Sequence, residues 1–333
     1  MRVDYKTLED NFERVLIKHG MKISDATKVA RMFALASADG VHTHGLNRFF
    51  RYVSMIDKKE IDLEKSISLV ASLGAIEVYD GNLGPGNLNA IKATERAIEL
   101  ARTHHVGIVS LKNTNHWIRP GYYGLLAAEE GMAALMWTNT CANMPVWGSL
   151  EAKLGNNPVV IAIPQEDGMA PLLLDTAMSM FSYGKLEKFV MDGVSCPVDG
   201  GFDKDGNITR DPEKILSSRA PLPIGYWKGS GLSLALDMLA ALLSSGRTVN
   251  MISPEPEIGL SQVFIVFDIK SLPDWRLSIK RMKDALMDIK SSTPIDPHRP
   301  VRYPGEGLFS ERKKSMAEGV YCNDELYKKL LDM

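Results

Sequence analysis

Through the first sixty or so residues, apolar positions recur with the period of a helix. Leu8, Phe12, Val15 and Leu16 fall on one face of Tyr5–Lys18, a second helical pattern covers Asp25–Ala38, and Phe49, Val53 and Ile56 mark a third over Leu46–Lys59. An α-helical N-terminal section of about 65 residues is therefore predicted. The period then shortens. Ile67–Ala71 and Ala75–Tyr79 read as strands, and the Ser72-Leu-Gly74 between them has the length and composition of a hairpin connection. Pro85 suits a first helical turn, so a helix is predicted from there through Leu100, followed by a strand over Val106–Leu111. Further strands are predicted at Ala133–Trp137, Val159–Ile163, Leu172–Leu174 and Val263–Phe267, with helices at Tyr122–Glu130, Gly231–Ser244 and Trp275–Lys290. Val198–Asn207 and Ser253–Glu257 are polar, turn-forming breaks rather than linkers. The pattern is that of an α/β or α+β protein with a helical opening.

Composition narrows the function classes. The chain has 333 residues, longer than one core usually serves, so one large domain with appendages or two domains is expected. Lys and Arg number 39 against 41 Asp and Glu, a balance without the clustered cations that a nucleic acid or an anionic bilayer requires. The first residues are charged where a signal peptide is apolar, and the longest apolar run, Leu232–Leu243, is interrupted by Asp237. Cys141, Cys196 and Cys322 are odd in number and widely spaced, which fits neither a disulfide framework nor a zinc site. A cytoplasmic protein without membrane or nucleic-acid partners is expected.

The chemistry-bearing residues are few. The G-x-G-x-x-G fingerprint of a Rossmann dinucleotide site is absent, its nearest relative being Gly229-Ser-Gly231-Leu-Ser-Leu234. Trp227-Lys228-Gly229 before a helix nevertheless sets a cation and small residues beside backbone N–H groups, which suits a phosphate; the alternative is a glycine loop packed tightly at a helix start. Gly81-Asn-Leu-Gly84-Pro-Gly86 raises the same question, with a simple turn favoured. His44 and Arg48 are four apart and share a face if one helix contains both. An imidazole there can protonate a developing alkoxide while a guanidinium holds a carboxylate, although a capping residue and a surface Arg fit the same letters. His42 and His44 lack a third ligand at metal-binding spacing, so no metal is expected. His116, Asp175 and the pair Asn156-Asn157 stand at strand ends, where either a site or a turn uses them. Serine-hydrolase elbows, zinc-protease motifs and Walker loops are missing.

Taken in order, Thr43-His44-Gly45 with Arg48, Leu154-Gly-Asn-Asn-Pro158, Asp175-Thr-Ala-Met-Ser179 followed by Tyr183-Gly-Lys185, and Pro223 through Gly231 resemble the malate/L-lactate dehydrogenase family of non-Rossmann NAD(P)H-dependent oxidoreductases. Ser72–Glu77, Asn115-His-Trp117, Met178–Gly184 and Pro197–Phe202 narrow the likeness to a branch acting on a 2-oxo sugar acid. The resemblance implies a small helical domain over 1–70, joined by C-terminal helices over 308–333, beside an α/β domain over 71–307 whose largely antiparallel, mixed sheet carries NADH, or NADPH in its place. It also implies a homodimer with sites near the interface. By the same resemblance His44 is the proton donor, Arg48 the contact for the substrate carboxylate, and His116 and Thr43 belong to the same pocket. Pro171, Leu172, Leu173, Leu174, Asp175, Thr176 and Ala177, then Trp227 and Lys228, then Gly305, Glu306 and Gly307 correspond to the cofactor-binding stretches. Where the family commonly has Ser before the catalytic His, this chain has Thr43, whose extra methyl is expected to bear on the pocket. The alternatives are another 2-hydroxy acid dehydrogenase of malate, lactate or ureidoglycolate type, or a catalytically silent sugar-acid or nucleotide-binding protein. The last has no need of His44 beside Arg48.

Overall fold

Asp4 starts the first helix by accepting the Thr7 N–H at 2.9 Å, one of the donors a helix start leaves unpaired. The computed structural model describes residues 1–166 and 168–333. Helices α1 (Tyr5–Lys18), α2 (Ile23–Ala38) and α3 (Leu46–Asp57) lie within two residues of their predicted bounds. Their apolar faces meet at Phe12, Phe33 and Phe49, whose rings lie 4.5–5.9 Å apart, a distance at which aromatic pairs attract. The turn between α2 and α3 is tight: Ser37 Oγ accepts the Leu46 N–H at 3.0 Å, and a side chain on Gly45 would meet that oxygen at 2.3 Å.

A seven-stranded sheet follows, with strands β1 (Ser68–Leu73), β2 (Ile76–Asp80), β3 (Val106–Thr114), β4 (Ala133–Thr138), β5 (Val159–Ile163), β6 (Leu172–Thr176) and β7 (Leu260–Phe267). Their order is β1-β2-β3-β7-β4-β5-β6, so the last strand in the chain sits in the middle, with Val263 opposite Ser110 on one side and Trp137 on the other. Among the described residues only β2 and β3 run parallel in this sheet, joined by the crossover helix α4 (Gly86–His104). All other neighbours are antiparallel, which is the largely antiparallel, mixed sheet that the sequence resemblance implied. Helix α5 (Pro120–Glu129) packs with α4, and the two short helices α6 (Tyr183–Met191) and α7 (Pro212–Ser218) flank a two-residue ladder, Gly201–Phe202 with Ile208–Thr209, within the expected polar break.

Helix α8 (Trp227–Ser244) reverses the usual polarity of a surface helix. Ser230, Ser233, Asp237 and Ser244 face inward, while Leu232, Leu234, Met238, Leu239 and Leu242 are exposed, Leu242 by 77%. The inward residues are all matched: Ser233 Oγ donates to the Gly155 carbonyl at 2.6 Å, and Asp237 accepts from Asn139 Nδ2 at 2.9 Å and from the Val249 N–H at 3.1 Å. A buried polar seam of this kind stabilises only when its members are satisfied. After β7 come α9 (Trp275–Lys290), α10 (Glu306–Glu318) and α11 (Asp324–Asp332), and Val320–Tyr321 pairs with Arg2–Val3 to bring the two ends of the chain together. One apolar cluster runs from Val3 through Phe33, Val109 and Phe264 to Leu330, so the opening helices and the sheet share a core. Among the described residues, no helix is long and apolar enough to cross a membrane.

Inside that core lies one group of charges. Asp39, at the end of α2, has a side chain with no exposure; it forms an ion pair with Arg119 Nη2 at 2.5 Å and accepts hydrogen bonds from Arg312 Nε and Nη2 at 2.6 and 2.7 Å. It joins α2, the residue before α5 and α10. Because removing one partner strands buried cations, Asp39→Ala is expected to lose about 3–5 kcal/mol in chemical denaturation. A loss below about 1 kcal/mol would show that the triad does not hold the fold together.

Candidate active site

The turn after Asp39 carries the first candidate residues. His42–His44 form a single short helical turn, and Gly45, with a non-helical backbone, separates it from α3. His44 and Arg48 therefore do not share one helix, contrary to what their four-residue spacing suggests. They still act on each other: the Arg48 charge is among the causes that lower the His44 pKa. Thr43 Oγ1 lies 3.1 Å from His44 Nδ1, which fixes the ring and leaves Nε2 for chemistry. The Thr43 methyl turns towards Gly184 at the start of α6, where a Cβ would stand 2.9 Å away, so its bulk is accommodated by a glycine.

His116 reaches the same place from the end of β3. Its ring lies nearly parallel to that of His44, at 16° with centroids 6.5 Å apart, and its Nδ1 accepts the Ile118 N–H at 3.0 Å. The strand end is held by Asn115 Nδ2, which donates to the carbonyls of Leu83 and Gly84 at 2.8 and 3.0 Å. Here the turn reading of Gly81–Gly86 prevails, since a Cβ on Gly86 would meet the Asn115 carbonyl oxygen at 2.0 Å. These glycines allow backbone to approach backbone, not a phosphate.

The electrostatics are those of a pocket for an anion. Burial, then the Arg48 and Arg119 cations, pushes His44 down to about 3. Burial, then Arg48, His44 and Arg51, holds His116 well below its ordinary value. Arg48 itself is pulled down to about 10 by burial and by Arg51, against the opposing charges of Glu257 and Glu187. Two neutral imidazoles thus stand among cations. Nothing in the sequence singles out Arg51, Arg119, Glu187 or Glu257; the last, which also accepts the Cys141 N–H at 3.0 Å, closes a segment that reads only as a surface break.

Two of the stretches expected to bind cofactor lie against one sheet edge, and the third begins near its far end. Pro171–Ala177 is the edge strand β6 with its flanks, and Gly305 packs on it so closely that a Cβ would lie 3.0 Å from Leu173 N and from the Pro171 carbonyl oxygen. The Leu173 N–H donates to the Pro304 carbonyl at 3.0 Å. Past Ala177, Met178 accepts the Ile224 N–H at 2.9 Å, which sets the start of α8 beside β6 and leaves Trp227 64% exposed. Asp175, exposed on β6, accepts the Gly121 N–H at 2.8 Å and so ties this edge to the loop that bears His116. The phosphate cradle expected at α8 is not formed by free amides, because the N–H groups of Lys228, Gly229 and Ser230 donate to Gly225, Ile224 and Tyr226. Gly229 is there for packing, its Cβ position lying 2.4 Å from the Ile224 oxygen. Asn157 is likewise structural, bonding Thr140 N–H at 3.0 Å and Ser233 at 2.9 Å.

What remains at this edge suits a nicotinamide dinucleotide by its donor set. Glu306 pairs with Lys290 through Oε1, but its Oε2 is buried without a partner, an acceptor awaiting a hydroxyl or amide donor. Lys228 supplies a cation for phosphate, and the exposed Trp227 ring a surface for a flat base. Among the described residues no three His, Cys, Asp or Glu side chains are grouped to hold a metal ion.

A profile described as malate/L-lactate dehydrogenase matches residues 3–331. The chain is 40% identical over 333 residues to the 2,3-diketo-L-gulonate reductase of Citrobacter koseri, covering 99% of each. Among solved structures, the malate dehydrogenase of Pyrococcus horikoshii superposes with a TM-score of 0.89 at 30% identity, covering 100% of this chain and 94% of that one. The sulfolactate dehydrogenase of Methanocaldococcus jannaschii gives 0.90 at 30%, covering 100% and 96%.

The depressed His44 has a measurable consequence for stability. An unfolded chain takes up this proton below about 6.5, whereas the folded one resists until about 3, so acid favours unfolding across that window. Between about pH 7 and about pH 5, the wild type should lose about 1–2 kcal/mol more in urea denaturation than His44→Gln. Parallel losses in the two proteins would mean that His44 is not held neutral.

Proposed function

Because the chain belongs to the malate/L-lactate dehydrogenase family, we propose that it is an NADH-dependent reductase that converts 2,3-diketo-L-gulonate to 3-keto-L-gulonate, with His44 as the proton donor. The observation that carries the reading is the pair of neutral imidazoles set among Arg48, Arg51 and Arg119, with the β6 edge tied through Asp175 to Gly121 just past the His116 loop. That arrangement attracts an anionic substrate and leaves an acid–base group beside it. The relatives named for 2,3-diketo-L-gulonate supply the substrate class.

Residues 171–177, 227–228 and 305–307 would hold a reduced nicotinamide cofactor, which when bound would supply a hydride for the C2 carbonyl carbon. The rest is work for the chain's own residues. Arg48 takes the substrate carboxylate by two parallel hydrogen bonds, a geometry a guanidinium provides and an ammonium does not. Burial, then the Arg48 and Arg119 cations, keeps His44 deprotonated, and the arriving negative charge offsets the cations and raises the ring's affinity for a proton. From Nε2 that proton passes to the C2 oxygen as the carbonyl becomes a hydroxyl, while Thr43 steadies Nδ1. His116 lines the pocket opposite.

The same reading makes the protein a cytoplasmic enzyme of carbohydrate metabolism acting as a homodimer, with the exposed leucines of α8 as the face a second copy covers. It treats 1–70 with 308–333 as the helical unit and 71–307 as the unit that carries the cofactor.

Loss of NADH absorbance on adding 2,3-diketo-L-gulonate tests the proposal directly. His44→Gln is expected to lower kcat by about 10²–10⁴ with KM little changed, because the acid acts on the reacting oxygen. Arg48→Lys is expected chiefly to raise KM. Reduction should slow as pH rises, since the proton His44 must carry becomes harder to load. Full turnover in His44→Gln would remove it from the mechanism, and activity confined to malate, lactate or ureidoglycolate would replace the substrate.

A further inference from the structure

The loop that carries His116 is strained at one point and pinned at several. Ile118, β-branched and only 2% exposed, is held at a φ of +66°, a conformation such residues rarely adopt. Its N–H is thereby turned back onto His116 Nδ1. On either side, Asn115 is fastened to Leu83 and Gly84, the Trp117 carbonyl accepts the Tyr123 hydroxyl, and Arg119 is buried on Asp39. The loop cannot relax the strain without breaking one of these contacts.

This geometry determines the tautomer. With Nδ1 accepting a backbone N–H, the single proton of the neutral ring must sit on Nε2. A second proton is opposed by burial and by Arg48, His44 and Arg51. Nε2–H has no protein partner among the described residues and does not belong to the fully buried orphans, so it faces space that a ligand can reach. It is a donor that cannot become an acceptor.

We propose that His116 reads the oxygen on the carbon next to the reacting carbonyl, donating Nε2–H to the C3 oxygen of a 2,3-dioxo or 3-hydroxy-2-oxo acid. The inference rests on the preceding reading and extends it: Arg48 takes the C1 carboxylate, His44 the C2 oxygen, and a substrate oxygenated on three successive carbons needs a third donor beside them. A neutral N–H suits an uncharged oxygen. Substrates without a C3 oxygen leave this donor desolvated and unpaired, which is how a polar pocket rejects an analogue lacking one group.

The test compares kcat/KM of the wild type, His116→Phe and His116→Gln with 2,3-diketo-L-gulonate and with 2-oxobutanoate, which has no C3 oxygen. His116→Phe is expected to lose about 10–100-fold with the dioxo acid and less than about threefold with 2-oxobutanoate. His116→Gln, whose amide reaches the Nε2 position, should stay within about fivefold of the wild type with both. Equal losses with the two substrates would overturn the role of His116 and leave the preceding reading intact. A wild type that reduces 2-oxobutanoate better, or neither compound, would remove both. Nitrogen NMR of histidine-labelled protein adds a readout independent of turnover: His116 is expected as the Nε2–H tautomer without titration above about pH 6, and a titrating or Nδ1–H ring would also overturn the proposal.

Discussion

A carboxylate shut away from water between two guanidinium groups organises this molecule. Asp39 closes α2 immediately before the turn that bears His44, Arg119 follows the loop that bears His116, and Arg312 lies on α10, which begins at the cofactor segment. Three parts of the chain that are far apart in sequence are thus fixed at one point. Attraction between opposite charges is strong where solvent is excluded, and so is the penalty for leaving one unmatched. One acid for two bases also leaves an excess of positive charge inside. His44 feels Arg119 of this group together with Arg48, while His116 feels Arg48 and Arg51, so both imidazoles stand in a positive field.

The dinucleotide edge follows from sheet topology. A Rossmann site needs a parallel strand feeding a helix whose first amides are free, and here both conditions fail: β6 is an antiparallel edge strand, and the first turn of α8 is tied up by its own preceding residues. Glycine is used instead to bring segments together, Gly305 onto β6 and Gly229 onto Ile224. Asp175 then links this edge through Gly121 to the start of α5, directly after the loop that bears His116.

Much of the fold is legible in local signals along the chain. The periods of Tyr5–Lys18, Val159–Ile163 and Trp275–Lys290 mark those elements to the residue, because each is bounded by its own caps or turns. Helices α6 and α7 lie in segments whose hydrophobic pattern is weak, although Ser182 and Asp211 cap them in the ordinary way. The polarity of α8 cannot be read locally, because its serines and Asp237 find partners only across the fold. The spacing of His44 and Arg48 points to a shared helix that Gly45 interrupts, and the two meet through the turn instead. Asp39 with Arg119 leaves no trace in the sequence, since nothing local distinguishes a buried pair from two surface charges.

The proposed reaction requires the His44 imidazole, neutral in the empty pocket, to gain a proton as the substrate anion arrives. Calorimetry of oxamate, an unreactive oxo-acid mimic, binding to the enzyme with its reduced cofactor at about pH 7, repeated in buffers of different ionisation enthalpy, counts that proton. Net proton uptake on binding is expected in the wild type and is expected to vanish in His44→Gln. Binding with no proton uptake would contradict that requirement.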